Sequence, residues 1–119
     1  MCYIADQFIT ENGRKPVLEF ILEQNNETQD HIFAGIRQLE SRKGVIRNQN
    51  TETKHVKGKI FELKFKKLAV RILYAYHPGK RKFLLLLHGL IKKRDDLKVS
   101  DIEIAEHRYE ITLKRNYAG

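Results

Sequence analysis

Three stretches decide the fold: Lys59-Ile60-Phe61-Glu62-Leu63-Lys64-Phe65, then Val70-Arg71-Ile72-Leu73-Tyr74-Ala75-Tyr76, then Phe83-Leu84-Leu85-Leu86-Leu87 running on into His88-Gly89-Leu90-Ile91. In the first, Phe61, Leu63 and Phe65 alternate with Glu62, Lys64 and Lys66, the period-2 pattern of a strand with one buried and one wet face. In the second, Val70, Ile72, Tyr74 and Tyr76 share a face and Arg71 points the other way. The third is apolar on both faces, which predicts a central strand. His77-Pro78-Gly79-Lys80 between the last two reads as a hairpin turn.

Outward from this meander the pattern changes to helical. Pro16 suits a first helical turn, where its missing N–H would be unpaired anyway, and Val17, Leu18, Phe20, Ile21 and Leu22 form an apolar face. Asn25-Asn26 breaks that helix. A second helix is predicted from Thr28 to Arg42, with Ile32, Phe33, Ile36 and Leu39 on one face and Gly44 as its stop. Residues 3–9 are weakly strand-like, and polar residues 45–55 read as a long loop. After Leu90, Ser100 and Glu103 have the spacing of a capping box opening a last helix, whose stripe is Ile102, Ala105, Tyr109 and Leu113. The prediction is one α+β domain over residues 1–119: a helical hairpin packed on a small, mainly antiparallel sheet, with a C-terminal helix.

The 119 residues, 41% of them hydrophobic, suffice for one core. The longest apolar run is far short of a membrane span, and the N-terminus lacks the regions of a signal peptide. A lone Cys2 can form no internal disulfide. These features predict a cytoplasmic protein with no membrane role. The net charge of +8 is unevenly placed: −4 over residues 6–40, +8 over 41–71, +5 over 80–98 and −1 over 101–115. A basic sheet region flanked by more acidic helices is the footprint of an anionic partner, most often nucleic acid. The competing reading is that lysines only solubilise strand edges.

Enzymatic signatures of the usual kinds are missing: no phosphate-binding glycine loop, no HExxH, no Cys/His metal spacing. No metal or other cofactor is expected. The remaining chemistry is cationic and phenolic, which suits metal-independent RNA cleavage. A vicinal 2′-OH can attack the neighbouring phosphate, so the protein need only position the strand, stabilise charge and move protons. Arg71 with Lys92 or Lys93 can neutralise charge accumulating on phosphate oxygens. A lysine crowded by other cations loses its proton more easily and can act as general base. Each candidate also has a plainer reading. Arg71 can pair with Glu62 across neighbouring strands, Lys92-Lys93-Arg94 can be a solvated turn, His88 a satisfied core histidine, and Tyr109 part of the last helix's apolar stripe.

Lys57-Gly58-Lys59-Ile60-Phe61-Glu62-Leu63-Lys64, Val70-Arg71-Ile72-Leu73-Tyr74 and Leu86-Leu87-His88-Gly89-Leu90-Ile91-Lys92-Lys93 together resemble the phage-derived branch of the RelE/HigB-like toxins. That pattern has a glycine before hydrophobic-aromatic-Glu-Leu-Arg, an arginine in the next strand, and Leu-His-Gly-Phe-x-Lys-Lys after the third. The chain departs from it twice: Lys64 replaces an arginine, losing the planar fork that grips phosphate with two bonds, and Leu90 replaces a phenylalanine. The resemblance implies a RelE-like fold and the toxin of a type II toxin–antitoxin system, an endoribonuclease that cuts mRNA, usually on the ribosome. It implies a helix-turn-helix antitoxin, with operator DNA reached only through it. On this reading Arg71, Lys92 and Lys93 are catalytic, Lys64, Lys57, Lys59 and Arg94 bind RNA, and Glu62 orients Arg71. The alternative is a non-catalytic RNA-binding or regulatory module of phage origin; a basic face built for an acidic partner is a further one.

Overall fold

Pro16 opens α1 (Pro16–Leu22), and the Asn25 side chain accepts the Thr28 N–H at 2.8 Å to cap α2 (Asn26–Ser41). Around them run β1 (Ile4–Gln7), β2 (Thr51–Lys57), β3 (Ile60–Phe65), β4 (Val70–Tyr76), β5 (Phe83–Ile91) and α3 (Val99–Tyr117). The computed structural model describes residues 2–93 and 96–117. The five strands form one sheet in the order β1-β5-β4-β3-β2, antiparallel except for β1, which lies parallel to β5. The α+β architecture expected from sequence is present: a helical hairpin on a mainly antiparallel sheet, closed by a C-terminal helix.

Three expectations need correction. The polar stretch 45–55 is not all loop, because Thr51 to Lys57 pair with β3 as the sheet's edge strand. An edge strand can be polar on its open side; Thr51 is buried, and the Thr53 hydroxyl accepts the Ile46 N–H. The second face of the sheet is not wet. The hairpin covers one face, where Val17, Ile21, Ile32 and Leu39 meet Leu63, Phe65, Ile72, Tyr74, Leu84 and Leu86. Against the other, α3 lays Ala105, Tyr109 and Ile111 on Ile60, Leu73, Ala75, Leu85, Leu87 and Leu90. Finally, Ser100 is no cap. The Lys98 carbonyl already accepts the N–H groups of Asp101 and Ile102, so Ser100 lies inside the first turn.

The apolar run in β5 serves both faces through a register shift. Leu73 is opposite His88 but Tyr74 is opposite Leu86, leaving Leu87 as the extra residue of a bulge. Leu87 packs under α3, and its carbonyl accepts from Arg108 Nη1 at 2.8 Å. His88 Nε2 stands 2.8 Å from Asp101 Oδ1, joining β5 to the first turn of α3. Further along, Arg108 and Arg115 both lie over the Phe8 ring, and Arg115 donates to the Ile9 carbonyl. Among the described residues, no helix is long and apolar enough to cross a membrane.

Candidate nucleic-acid interface

Strand register decides which candidate side chains share a face of the sheet. Glu52, Lys64, Arg71 and Leu90 are direct cross-strand partners along β2-β3-β4-β5; the adjacent row is Lys54, Glu62, Leu73 and His88. Both rows belong to the sheet face that α3 covers. The first lies at the end where β3 turns into β4, past the point where His88 and Asp101 fasten the start of α3.

Arg71 and Glu62 are buried there, 8% and 3% exposed. Arg71 Nη1 lies 2.8 Å from the Val70 carbonyl, 2.9 Å from Leu68 O and 3.5 Å from Phe65 O, so the guanidinium gathers the carbonyls of the β3–β4 turn. Its Nε stands 3.4 Å from Glu62 Oε2, near enough to pair charges but not aligned for a hydrogen bond. Among the described residues, neither atom has a hydrogen-bond partner. The pairing of Arg71 with Glu62 anticipated from sequence is therefore present, as a buried ion pair that sequence placed on a wet face.

The same turn receives the end of β5. The Lys92 N–H donates to the Ala69 carbonyl at 2.7 Å, which brings Lys92 and Lys93 beside the turn that Arg71 holds from within. Lys92 is half-buried and Lys93 exposed. The hollow beneath them, lined by Leu90, Leu97 and Asp101 among others, is about 10 Å³, too small for a nucleobase. Lys64 is partly exposed, 3.7 Å from Glu52. The structure thus brings Glu62, Lys64, Arg71, Lys92 and Lys93 to one end of the sheet. Lys57 and Lys59 sit at the β2–β3 turn, the far end of β3, with Lys57 3.7 Å from Glu106. Arg94 lies outside the described residues.

Residues that the sequence reading did not single out join this end. Arg47, Asn48, Gln49, Glu52, Thr53, Lys54 and Lys66 line an open hollow of about 570 Å³ at the β2 edge, within the ~300–1,000 Å³ typical of small-ligand sites. Lys66 Nζ donates to Asn48 O at 2.9 Å, and the Arg47 backbone forms an isolated antiparallel β-bridge with that of Glu52. The signal available was the charge excess of residues 41–71. The missing step was that residues 46–48 fold back on β2 and so bring Arg47 level with Lys54 and Lys66.

Chemically, this end offers partly to fully exposed lysine side chains around a turn that lies over a buried ion pair. The charge of such an array is complementary to that of an anion. Among the described residues, no three His, Cys, Asp or Glu side chains gather as a group that could hold a metal ion.

Residues 19–110, from within α1 to most of α3, match the family model described as phage derived protein Gp49-like (DUF891). No curated protein matches the chain.

Proposed function

From its membership of the Gp49-like family of phage-derived proteins, a RelE/HigB-like toxin family, we propose that this chain is the toxin of a type II toxin–antitoxin system and a metal-independent endoribonuclease. The substrate is mRNA, cut on the ribosome in the bacterial cytoplasm, and a helix-turn-helix antitoxin holds the toxin in check. Operator DNA is reached only through that antitoxin.

The observation that supports this reading best is the convergence of Lys64, Lys92 and Lys93 on the β3–β4 turn. In the reaction, the 2′-hydroxyl of one nucleotide gives up its proton to a base as its oxygen attacks the adjoining 3′-phosphate. The bond to the 5′-oxygen of the next nucleotide breaks, and that oxygen leaves with a proton. Negative charge on the phosphate oxygens is highest between these events. Lys92 and Lys93 stabilise it, and Lys64 contacts the backbone alongside. Arg71 acts from below as a positioning residue: its guanidinium holds the turn against which Lys92 is fastened. Glu62 fixes Arg71. Removing a charge-stabilising donor of this kind lowers rates by ~100- to 1000-fold.

One observation favours the rival reading of a binding module without cleavage. The inward commitment of Arg71 to three backbone carbonyls, with lysine at position 64, leaves β3 and β4 presenting no exposed guanidinium fork beside Lys92 and Lys93. Tightly controlled induction in bacteria separates the two. Growth arrest by the native chain, lost in Lys92→Ala/Lys93→Ala at equal abundance, supports the toxin. Unimpaired growth with a folded, abundant native chain leaves the binding module.

A further inference from the structure

Two non-glycine residues among those described have backbone in the left-handed region, and both are lysines: Lys43 at φ 57° and Lys82 at φ 64°. Lys43 follows α2 in a Schellman arrangement. The Gly44 N–H bonds to Leu39 O at 2.8 Å and the Lys43 N–H to Glu40 O at 3.3 Å, which puts Lys43 where glycine is the usual residue. Lys82 closes the β4–β5 turn, with its carbonyl accepting the Ile4 N–H. At both positions a Cβ carries a steric cost that glycine avoids.

The two positions lie at one end of the molecule. Tyr76 Oη donates to Lys43 O at 3.1 Å, which ties the end of α2 to the end of β4. Phe61, opposite Tyr74, packs edge-on against Tyr76, so the β2–β3 turn with Lys59 lies at this end too. Arg42, Lys43, Lys59, Arg81 and Lys82 are all exposed, and none has an ion-pair partner among the described residues. The nearby acids are engaged elsewhere: Asp6 with Lys80 at 3.0 Å, Glu106 with Lys57, and Glu40 with the Ala5 N–H.

We propose that this pole, made by the α2 C-terminus and the β2–β3 and β4–β5 turns, is a second RNA-backbone surface, separate from the Lys64–Lys92–Lys93 end. The inference rests on reading the chain as an RNA-binding protein and is independent of cleavage. Five unpaired cations on three turns recognise charge spread along a polymer and need no pocket. The two basic ends are separated by the six-residue length of β3, roughly 20 Å, so one RNA long enough to reach both is held at two points. An acidic protein is the other polyanion that such a surface would attract, but the phosphate-directed site at the opposite end favours RNA.

The left-handed backbone supplies a clean test, because glycine removes charge and strain together. Lys43→Gly/Lys82→Gly and the native chain are compared by anisotropy with a labelled single-stranded RNA of mixed sequence, at 50 to 200 mM salt, with Tm measured alongside. The expected result is an unchanged or higher Tm together with weaker binding. The slope of log affinity against log salt should fall by about 1.4, two phosphate contacts at ~0.7 each, so that the native chain loses about 7-fold more affinity across that range. Should Tm fall instead, Lys43→Asn/Lys82→Asn keeps a residue tolerant of this backbone, and Lys59→Ala/Arg81→Ala removes charge where no such strain exists. Unchanged affinity and slope in all three overturns the proposal, as does loss of an acidic protein partner with RNA binding intact. Failure to cleave RNA while these slopes still drop would count against the nuclease reading and leave this surface standing.

Discussion

Replacing Arg71 by alanine should damage the fold before it damages any chemistry. The substitution leaves the Glu62 carboxylate 3% exposed beneath α3 with no counter-charge, and it frees the Val70 and Leu68 carbonyls that Nη1 gathers at 2.8 and 2.9 Å. Removing one partner of a buried pair costs ~3–5 kcal/mol. For a chain of this size that corresponds to a fall in Tm of roughly 10–20 °C, a large part of a typical total stability of about 5–15 kcal/mol. Urea unfolding followed by circular dichroism measures it directly, since the midpoint should fall with little change in slope. Glu62→Leu/Arg71→Met, which removes both charges among the apolar neighbours Ile60, Leu73 and Leu90, should recover most of the loss. A cost below ~1 kcal/mol for Arg71→Ala would refute the reasoning, because it would mean that Glu62 is hydrated or neutralised by another group. The same result sets the condition for using Arg71 in any activity assay: loss of activity in an unfolded variant says nothing about phosphate.

Other parts of the framework give equally direct expectations. Tyr74 Oη donates to the Gly44 carbonyl at 2.7 Å in a buried setting, and that burial raises the phenol's pKa; Tyr74→Phe leaves the carbonyl unpaired and should cost ~1–2 kcal/mol in urea unfolding. Gly89→Ala should lower Tm through a loss of ~1–3 kcal/mol, because its Cβ would collide with the Phe20 ring of α1, and Phe20→Leu in the same chain should recover part of it. His77 Nδ1 accepts the Gly79 and Lys80 N–H groups, and burial, helped by the Lys80 charge, holds its pKa below the ordinary 6.5. The unfolded chain then takes up the proton first as pH falls, so this contribution is complete above about pH 6.5 and is lost as pH drops through the folded-state value. Melts from pH 7.5 to 5 should show a steeper decline for the native chain than for His77→Asn, whose amide oxygen can still accept at the turn.

What sequence made legible follows from which signals are local. Alternation in Ile60–Phe65 and Val70–Tyr76 needs only neighbouring residues to be read, and both strands stand where it put them. β2 was hidden because an edge strand paired on one side carries threonines, glutamate and lysines that look like loop. The parallel pairing of β1 with β5 joins Ile4 to Phe83, a relation that no window of sequence contains. The same limit applies at the candidate site. Alternation says that Glu62 and Arg71 share the face opposite Leu63 and Ile72, but not that α3 returns to cover it. The bulge at Leu87, which turns both Leu87 and His88 toward α3, is likewise invisible within a run of leucines. Charge counting found the basic region, yet could not divide it into two ends, since Lys59 and Lys64 are near in sequence and at opposite ends of β3.

The central claim, RNA cleavage through attack of a vicinal 2′-OH, is tested most directly by the chemistry of the product ends. Purified chain is incubated with a defined mRNA, free and in translating ribosomes, and the new 3′ ends are analysed. The account predicts discrete internal cuts ending in 2′,3′-cyclic phosphate or 3′-phosphate, lost in Lys92→Ala/Lys93→Ala with an unchanged melting curve. Intact mRNA in both settings with a folded native chain, or cuts ending in 3′-hydroxyl, would contradict it.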